Sequence, residues 1–273
     1  MKDIVIRAFS GLLYVLLLIF SLYNEHSLIG LFFVFGIICL AEFKKLIQLK
    51  SYVPYLIFII LYFFFAYWPL VIPSGLGFNE AVQILLVITI FVHLFLIKDL
   101  FSEKTIPLFS SKRFVITTFY LTSAFVFLVQ IAKNELNYEP NILLGIFVLI
   151  WVNDTFAYLI GSRFGKQKLF PKISPKKTVE GFLGGLFAVC LASYAITYFT
   201  ETLTFTQWLI LSIITSVFGT LGDLIESKFK RQANVKDSGV IMPGHGGLLD
   251  RFDSIIFAAP FIYLFLRIVQ YVS

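Results

Sequence analysis

Residues 141–160 read Asn-Ile-Leu-Leu-Gly-Ile-Phe-Val-Leu-Ile-Trp-Val-Asn-Asp-Thr-Phe-Ala-Tyr-Leu-Ile. This run has the length an α-helix needs to cross a hydrocarbon core, roughly 20 mostly apolar residues. Past the opening Asn141, its charge and strong polarity lie at Asn153 and Asp154, toward the other end. Eight further stretches read the same way: Ile4–Tyr23, Ser27–Ile47, Tyr52–Ile72, Ala81–Ile97, Phe114–Ile131, Val179–Phe199, Thr206–Ile225 and Ser254–Tyr271. Between them lie breaks with turn chemistry or charge, such as Asn24-Glu25-His26, Pro73-Ser74-Gly75 and Asn137-Tyr138-Glu139-Pro140. The second stretch is the least regular, with Glu42, Lys44 and Lys45 in its last third. The expected fold is therefore all-α, a polytopic integral membrane protein with about nine transmembrane helices.

Composition agrees. Of 273 residues, 59% are hydrophobic and 14% charged, where soluble domains run at about 45–50% and about 25%. That excludes a soluble globule and a disordered chain. Two cysteines, Cys39 and Cys190, are too few for a disulfide framework or a cysteine-based zinc site.

The basic residues orient the chain. With the N-terminus inside, 20 of the 22 Lys and Arg fall in inward-facing segments. The outside loops hold only Lys133, along with the acids Glu25, Glu80, Glu135, Glu139 and Glu201. Lys/Arg bias sets orientation, so the expectation is N-in/C-out, with the net charge of +6 a property of the cytoplasmic face. Lys2 and Arg7 ahead of an apolar run mimic a signal peptide. No small-x-small cleavage site follows, so the run reads as a first anchor helix. Asn153-Asp154-Thr155 fits a glycosylation sequon only by accident, because it lies inside a span.

Charges within spans are costly and mark function by default. Here Asn153, Asp154, Glu180, Asp223, Glu226, Asp250, Asp253 and His93 all fall near the cytoplasmic ends of their spans. Any one of them could be an interfacial cap. Together they point to one polar cavity at the cytoplasmic interface. Two long inward loops, 161–178 and 226–253, adjoin it. In the second, Asp250 and Asp253 share a helix face at i,i+3. With Asp223 and Asp237 they offer the hard oxygen ligands that Mg²⁺ takes. Gly244, Gly246 and Gly247 around His245 let backbone N–H groups approach an anion at a helix start. Lys228, Lys230, Arg231, Lys236 and Arg251 can neutralise phosphate charge. The first loop adds Ser174, Lys176 and Lys177, then a helix start at Thr178–Gly181 with Glu180 in its first turn. Gly161…Gly165-Lys166 fails the P-loop pattern: too few residues separate the glycines, and Gln167 stands where Ser or Thr would bind Mg²⁺. Gly181 and Gly185 permit close helix packing, expected within the chain rather than between copies. Carboxylates for a cation, basic groups for phosphates and a membrane surface together describe phosphoryl or nucleotidyl transfer on a lipid. Such a reaction needs no protein nucleophile, which argues against that role for His245.

The run Ser227-x-Phe229-Lys230-Arg231-x₄-Lys236-Asp237-x-Gly239-x₃-Pro243-x-His245-Gly246-Gly247-x₂-Asp250-Arg251-x-Asp253 spans 27 residues. It resembles the hallmark of the phosphatidate cytidylyltransferases, or CDP-diacylglycerol synthases. Asn153-Asp154-Thr155-x-Ala157-Tyr158 and Ser174-Pro175-Lys176-Lys177-Thr178-x-Glu180-Gly181 resemble the same family. Met242, where the pattern expects Leu, Ile or Phe, departs conservatively. The resemblance covers residues 151–254; the first 140 share only the multi-span character.

The resemblance implies that CTP and phosphatidic acid yield CDP-diacylglycerol and pyrophosphate. It implies Mg²⁺, leaves a second cation open, and implies a homodimer in the lipid bilayer, with no nucleic-acid partner. It places the protein in a bacterial inner membrane with the active site facing the cytoplasm. It assigns catalysis to Asp223, Lys236, Asp237, His245, Asp250, Arg251 and Asp253. It assigns substrate binding to Asn153, Asp154, Ser174, Lys176, Lys177, Thr178, Glu180, Ser227, Lys230, Arg231, Gly246 and Gly247. The implied metal ligands are Asp223 and Asp250, with Asp253 a further ligand or an orienter of Arg251. Residues 1–140 would then be a scaffold or dimerisation region and 141–273 the catalytic region. A CTP-dependent polyprenol or phytol kinase is the rival enzyme, and an ion-coupled transporter the rival outside enzymes. The full 27-residue run disfavours the first. The one-sided clustering of acids disfavours the second, whose charges belong near the midplane in paired repeats.

Overall fold

The computed structural model describes residues 2–71, 78–134 and 137–272; Pro73-Ser74-Gly75 and Glu135 lie outside them. Among the described residues nine helical runs follow one another: α1 (Lys2–Ser21), α2 (Glu25–Leu46), α3 (Val53–Tyr67, continuing as Trp68–Val71), α4 (Phe78–Phe101), α5 (Ser110–Ile131), α6 (Pro140–Phe164), α7 (Val179–Thr200), α8 (Phe205–Gln232) and α9 (Leu249–Val272). Each expected span falls on one of them. Among the described residues seven are long and apolar enough to cross a membrane, against the nine expected. The other two apolar stretches among the described residues are Phe9–Ser21, part of the 20-residue α1, and Val53–Tyr67 in α3, which widens into a π-helical turn at Phe63–Tyr67. A second π-helical turn, Thr117–Thr122, interrupts α5. Among the described residues, strand pairing is limited to two small hairpins, β1 (Lys133–Asn134) with β2 (Asn137–Tyr138) and β3 (Lys168–Phe170) with β4 (Ser174–Thr178), and one isolated bridge between Met242 and Gly246. The chain is an all-α polytopic membrane protein.

Several boundaries differ from the hydropathy reading, and the differences shape the site. Helix α8 runs seven residues beyond Ile225, to Gln232, and α9 starts at Leu249 rather than Ser254. Hydropathy falls where charges begin, but helix propensity does not. Glu, Lys, Arg and Gln are good helix formers, and Lys230 and Arg231 in the last turn complement the helix dipole, as Asp250 does in the first turn of α9. The expected 226–253 loop thus shrinks to 233–248. Asp223, Glu226, Ser227 and Lys230 come to lie on one face of α8 at i, i+3, i+4 and i+7.

Helix α9 is the packing hub. It lies against α8 and α5 and touches α2, α4 and α6. Between Arg251 and Asp253, Phe252 is fully buried in a ring of aromatics from four other helices. Its ring centroid lies 5.9 Å from Tyr14, 6.2 Å from Phe32, 5.6 Å from Phe35, 5.7 Å from Phe125 and 6.3 Å from Phe147. Such pairs contribute about 0.5–1.5 kcal/mol each beyond area burial, so the first turn of α9 is anchored by the supposed scaffold. Gly181 and Gly185 pack within the chain, against Gly161, Ala157 and the Asn153 backbone of α6.

Candidate active site

Gly222 sets the α8–α9 approach. A Cβ there would lie 2.6 Å from the Asp253 carbonyl oxygen, so only glycine admits α9 this closely. The neighbouring carboxylates of Asp223, Glu226 and Asp253 consequently converge, with one oxygen from each within 4.8 Å of the others. Lys177 Nζ sits 2.5 Å from Asp223 Oδ2, and Ser227 Oγ donates to Asp223 Oδ1 at 3.2 Å. Glu226 is fully buried. Lys230 Nζ makes ion-pair contact with its Oε2 at 2.5 Å, yet neither carboxylate oxygen accepts a properly directed hydrogen bond.

The charges here do not balance. Asp154, Asp223, Glu226, Asp250 and Asp253 are linked electrostatically, and Lys177, Lys230 and Arg251 are the cations that act on them. Five acids against three cations leave an excess that protons or a metal ion must offset. Hard carboxylate oxygens with unfilled acceptor capacity are the chemistry that suits Mg²⁺. Asp223, Glu226 and Asp253 are the residues that could hold such an ion.

Asp250, expected beside them as a ligand, is engaged elsewhere. Its Oδ1 accepts from Lys230 Nζ at 2.7 Å. Its Oδ2 accepts from the Ser238 N–H and Oγ at 2.9 Å each and from the Gly247 N–H at 2.8 Å. Oδ1 thus ties α8 to the start of α9, and Oδ2 ties the connecting loop to it. A second buried carboxylate shares that task. Glu42 of α2 accepts the Leu249 N–H at 2.8 Å and the Leu248 N–H at 3.2 Å, with Ser238 Oγ 3.2 Å away. Those are unpaired donors of a helix N-terminus, where negative charge is favoured.

The first loop folds as the β3–β4 hairpin. Thr178 Oγ1 caps α7 by accepting from the Gly181 N–H at 3.1 Å. Glu180 accepts from the Gln167 N–H at 3.1 Å and so closes the hairpin, away from the carboxylate group. Ser174 opens β4, Lys176 is exposed, and Lys177 turns inward to Asp223. Burial works against the Lys177 ammonium, but Asp223, then Asp253 and Asp154, outweigh it and raise its pKa, keeping it charged. Asn153 is buried and its Oδ1 accepts from Ser216 Oγ at 2.6 Å, bracing α6 on α8.

In the second loop, Met242-Pro243-Gly244-His245 forms a tight turn. The His245 N–H donates to the Met242 carbonyl at 2.9 Å, and Gly244 has φ +77°. Pro at the second and Gly at the third position suit a type II turn. Gly246 returns its carbonyl to the Met242 N–H, and the Gly247 N–H is taken by Asp250. Lys236, Asp237 and Arg251 are exposed. Three of the five cations expected to meet phosphates are otherwise occupied. Lys228 donates to the Asp99 and Ser102 carbonyls at the end of α4. Arg231 donates to those of Ile173 and Val235, and Lys230 bridges Glu226 and Asp250. His93 is buried among Tyr120, Phe257 and Phe261, apart from the polar set.

Sequence reasoning placed Glu226 at the site's depth without choosing it as a ligand. The i,i+3 spacing from Asp223 was the available signal. Glu42 was noticed only as an irregularity of its span.

Comparison with known proteins gives a consistent picture. A model described as the cytidylyltransferase family matches residues 4–269. A phosphatidate cytidylyltransferase of Bacillus subtilis (strain 168) is 34% identical over an aligned length of 278 residues, covering 98% of this chain and 99% of that protein. One of Staphylococcus aureus (strain COL) is 46% identical over 149 residues, 54% of this chain. That match spans about half, 55%, of the staphylococcal protein's length.

Proposed function

Since the chain belongs to the cytidylyltransferase family, we propose that it transfers a cytidylyl group from CTP to phosphatidic acid. The products are CDP-diacylglycerol and pyrophosphate. The observation that carries the reading is the juxtaposition of an acid-rich group, Asp223, Glu226 and Asp253, with Lys177 and the exposed Arg251 at the ends of membrane helices. A lipid phosphate attacks the α-phosphorus of the nucleotide; the new P–O bond forms as the bond to pyrophosphate breaks. The attacking phosphate already carries about −1.5 to −2 charge at pH 7, so the protein's work is to bring two anions together and neutralise them. Lys177, held by Asp223, presents a fixed ammonium. Arg251 and Lys236 supply further cations at the open side. Asp223, Glu226 and Asp253 would hold Mg²⁺, which supplies charge neutralisation and orientation of the nucleotide phosphates when bound.

The reading places the protein in a bacterial inner membrane with this site toward the cytoplasm. Both connecting loops and the basic residues support that orientation. A reporter fused after Ser273 is expected to sit outside; a cytoplasmic signal would overturn the N-in/C-out arrangement. The activity is tested by incubating purified protein with phosphatidic acid, Mg²⁺ and each nucleoside triphosphate. CTP is expected to give CDP-lipid and pyrophosphate in equal amounts. Phosphorylation of a polyprenol instead, with CDP released, would favour the kinase.

A further inference from the structure

Helix α1 meets the site through one face. Arg7, Ser10, Gly11 and Tyr14, at i, i+3, i+4 and i+7, all lie against the second loop or α9. Ser10 Oγ is 2.8 Å from His245 Nδ1, 3.0 Å from the Pro243 carbonyl and 3.1 Å from the Arg7 carbonyl. Ser10 Oγ and His245 Nδ1 are thus hydrogen-bonded to each other, whichever of the two carries the proton. At Gly11 a Cβ would come within 3.4 Å of the imidazole, so the helix backbone seats the ring closely. The ring of Tyr14 meets Phe252 edge-on, which locks α1 to the first turn of α9.

Arg7 crosses the same turn. Its Cγ lies 2.6 Å and its Nε 3.4 Å from where a Cβ on Gly244 would stand, over a residue whose φ of +77° already favours glycine. Arg7 is exposed, and among the described residues its side chain has no hydrogen-bond or ion-pair partner. Arg251 is exposed too, and among the described residues its side chain makes one long hydrogen-bond contact, 3.5 Å from Nη2 to the His245 carbonyl, while Asp154 lies within its electrostatic reach. Two guanidinium groups thus flank His245, and among the described side chains neither is in ion-pair contact with a carboxylate. Burial, then Arg251 and Arg7, hold the His245 pKa below its ordinary value, so the imidazole adds no charge of its own at neutral pH.

We propose that Arg7 of α1 is a substrate-binding residue that grips a phosphate group together with Arg251 beside His245. This rests on the cytidylyltransferase reading and extends it to a helix otherwise assigned only to anchoring. A guanidinium presents a planar fork matched to phosphate oxygens. The ligand chemistry is a phosphate, from either the nucleotide triphosphate or the lipid phosphomonoester.

The test uses the full-length protein in detergent as wild type, Arg7→Ala and Arg7→Lys. KM is measured for CTP at saturating phosphatidic acid and for phosphatidic acid at saturating CTP. Losing a charge-assisted hydrogen bond is expected to raise one KM about tenfold or more. The other KM should stay within twofold of wild type, with the melting temperature unchanged because Arg7 is exposed. The substrate whose KM rises is the one whose phosphate Arg7 holds. Arg7→Lys, which keeps the charge and loses the fork, should fall between. A folded Arg7→Ala protein with both KM values within twofold of wild type would overturn the proposal. A second arm needs no turnover: equilibrium binding of inorganic pyrophosphate and of short-chain phosphatidic acid to wild type and Arg7→Ala. Weaker binding of either by Arg7→Ala supports the site, and equal binding of both refutes it. If wild type makes no CDP-lipid, the functional reading fails by itself while this arm still decides on Arg7.

Discussion

Replacing Asp253 with Asn is expected to lower turnover about 10³-fold while the protein still inserts and purifies normally. Asp253 converges with Asp223 and Glu226 and makes no ion-pair contact with a lysine among the described residues. Its loss therefore strands no cation. The Asn side chain keeps the shape and removes one charged ligand from a site whose ion supplies several kcal/mol of charge stabilisation. Five acids outnumber Lys177, Lys230 and Arg251 here, so removing one acid also relieves repulsion. In chelator, Asp253→Asn should melt no lower than wild type. Added Mg²⁺ should stabilise wild type by linkage and leave the variant unmoved. Asp223→Asn and Glu226→Gln should lose turnover similarly, but each also frees a lysine partner, Lys177 or Lys230, so some stability is expected to go with it. Near-normal turnover by a well-folded Asp253→Asn protein at limiting Mg²⁺ would dismiss the metal assignment. So would a wild-type melting temperature indifferent to Mg²⁺.

The helices were legible because apolar runs of spanning length admit few alternatives, and each expected span coincides with a helical run. Their ends were harder to read. Hydropathy stops at Ile225, where Glu226 begins a charged but strongly helix-forming segment, and it resumes at Ser254, one turn after α9 has started. The site's depth could be read from where Asp154, Asp223, Glu226, Asp250 and Asp253 fall in their spans. Its division of labour could not. Asp250 and Asp253 share a face by spacing, yet only the fold shows that Lys230, Ser238 and Gly247 consume the oxygens of Asp250. Lys228 and Arg231 look like phosphate ligands in sequence, but they turn to backbone carbonyls, those of Asp99 and Ser102 for Lys228 and those of Ile173 and nearby Val235 for Arg231. Glu42 was the least visible: its partners Leu248 and Leu249 are about two hundred residues distant, and no local pattern links them.

That carboxylate is the basis of the second large effect. Glu42→Ala is expected to cost about 3–5 kcal/mol and to reduce turnover at least as severely as the lost stability implies. Glu42 is 2% exposed. Its removal leaves the Leu248 and Leu249 N–H groups buried without acceptors, at about 1–3 kcal/mol each, and takes negative charge from the start of α9. Ser238 Oγ can still donate to Asp250, so the loop keeps one tether while the helix start loses its cap. That start carries Asp250, Arg251 and Asp253, and a displacement of about an ångström there is enough to impair catalysis. Glu42→Gln keeps the size and one acceptor oxygen but turns an NH₂ toward an N–H, so it should fall between Ala and wild type in melting temperature. The distinguishing readout is hydrogen exchange: protection of the Leu248 and Leu249 amides should drop in both variants, while that of the α7 amides stays as in wild type. A Glu42→Ala protein that matched wild type in melting temperature and in protection at these two amides would show that α9 starts without help from α2.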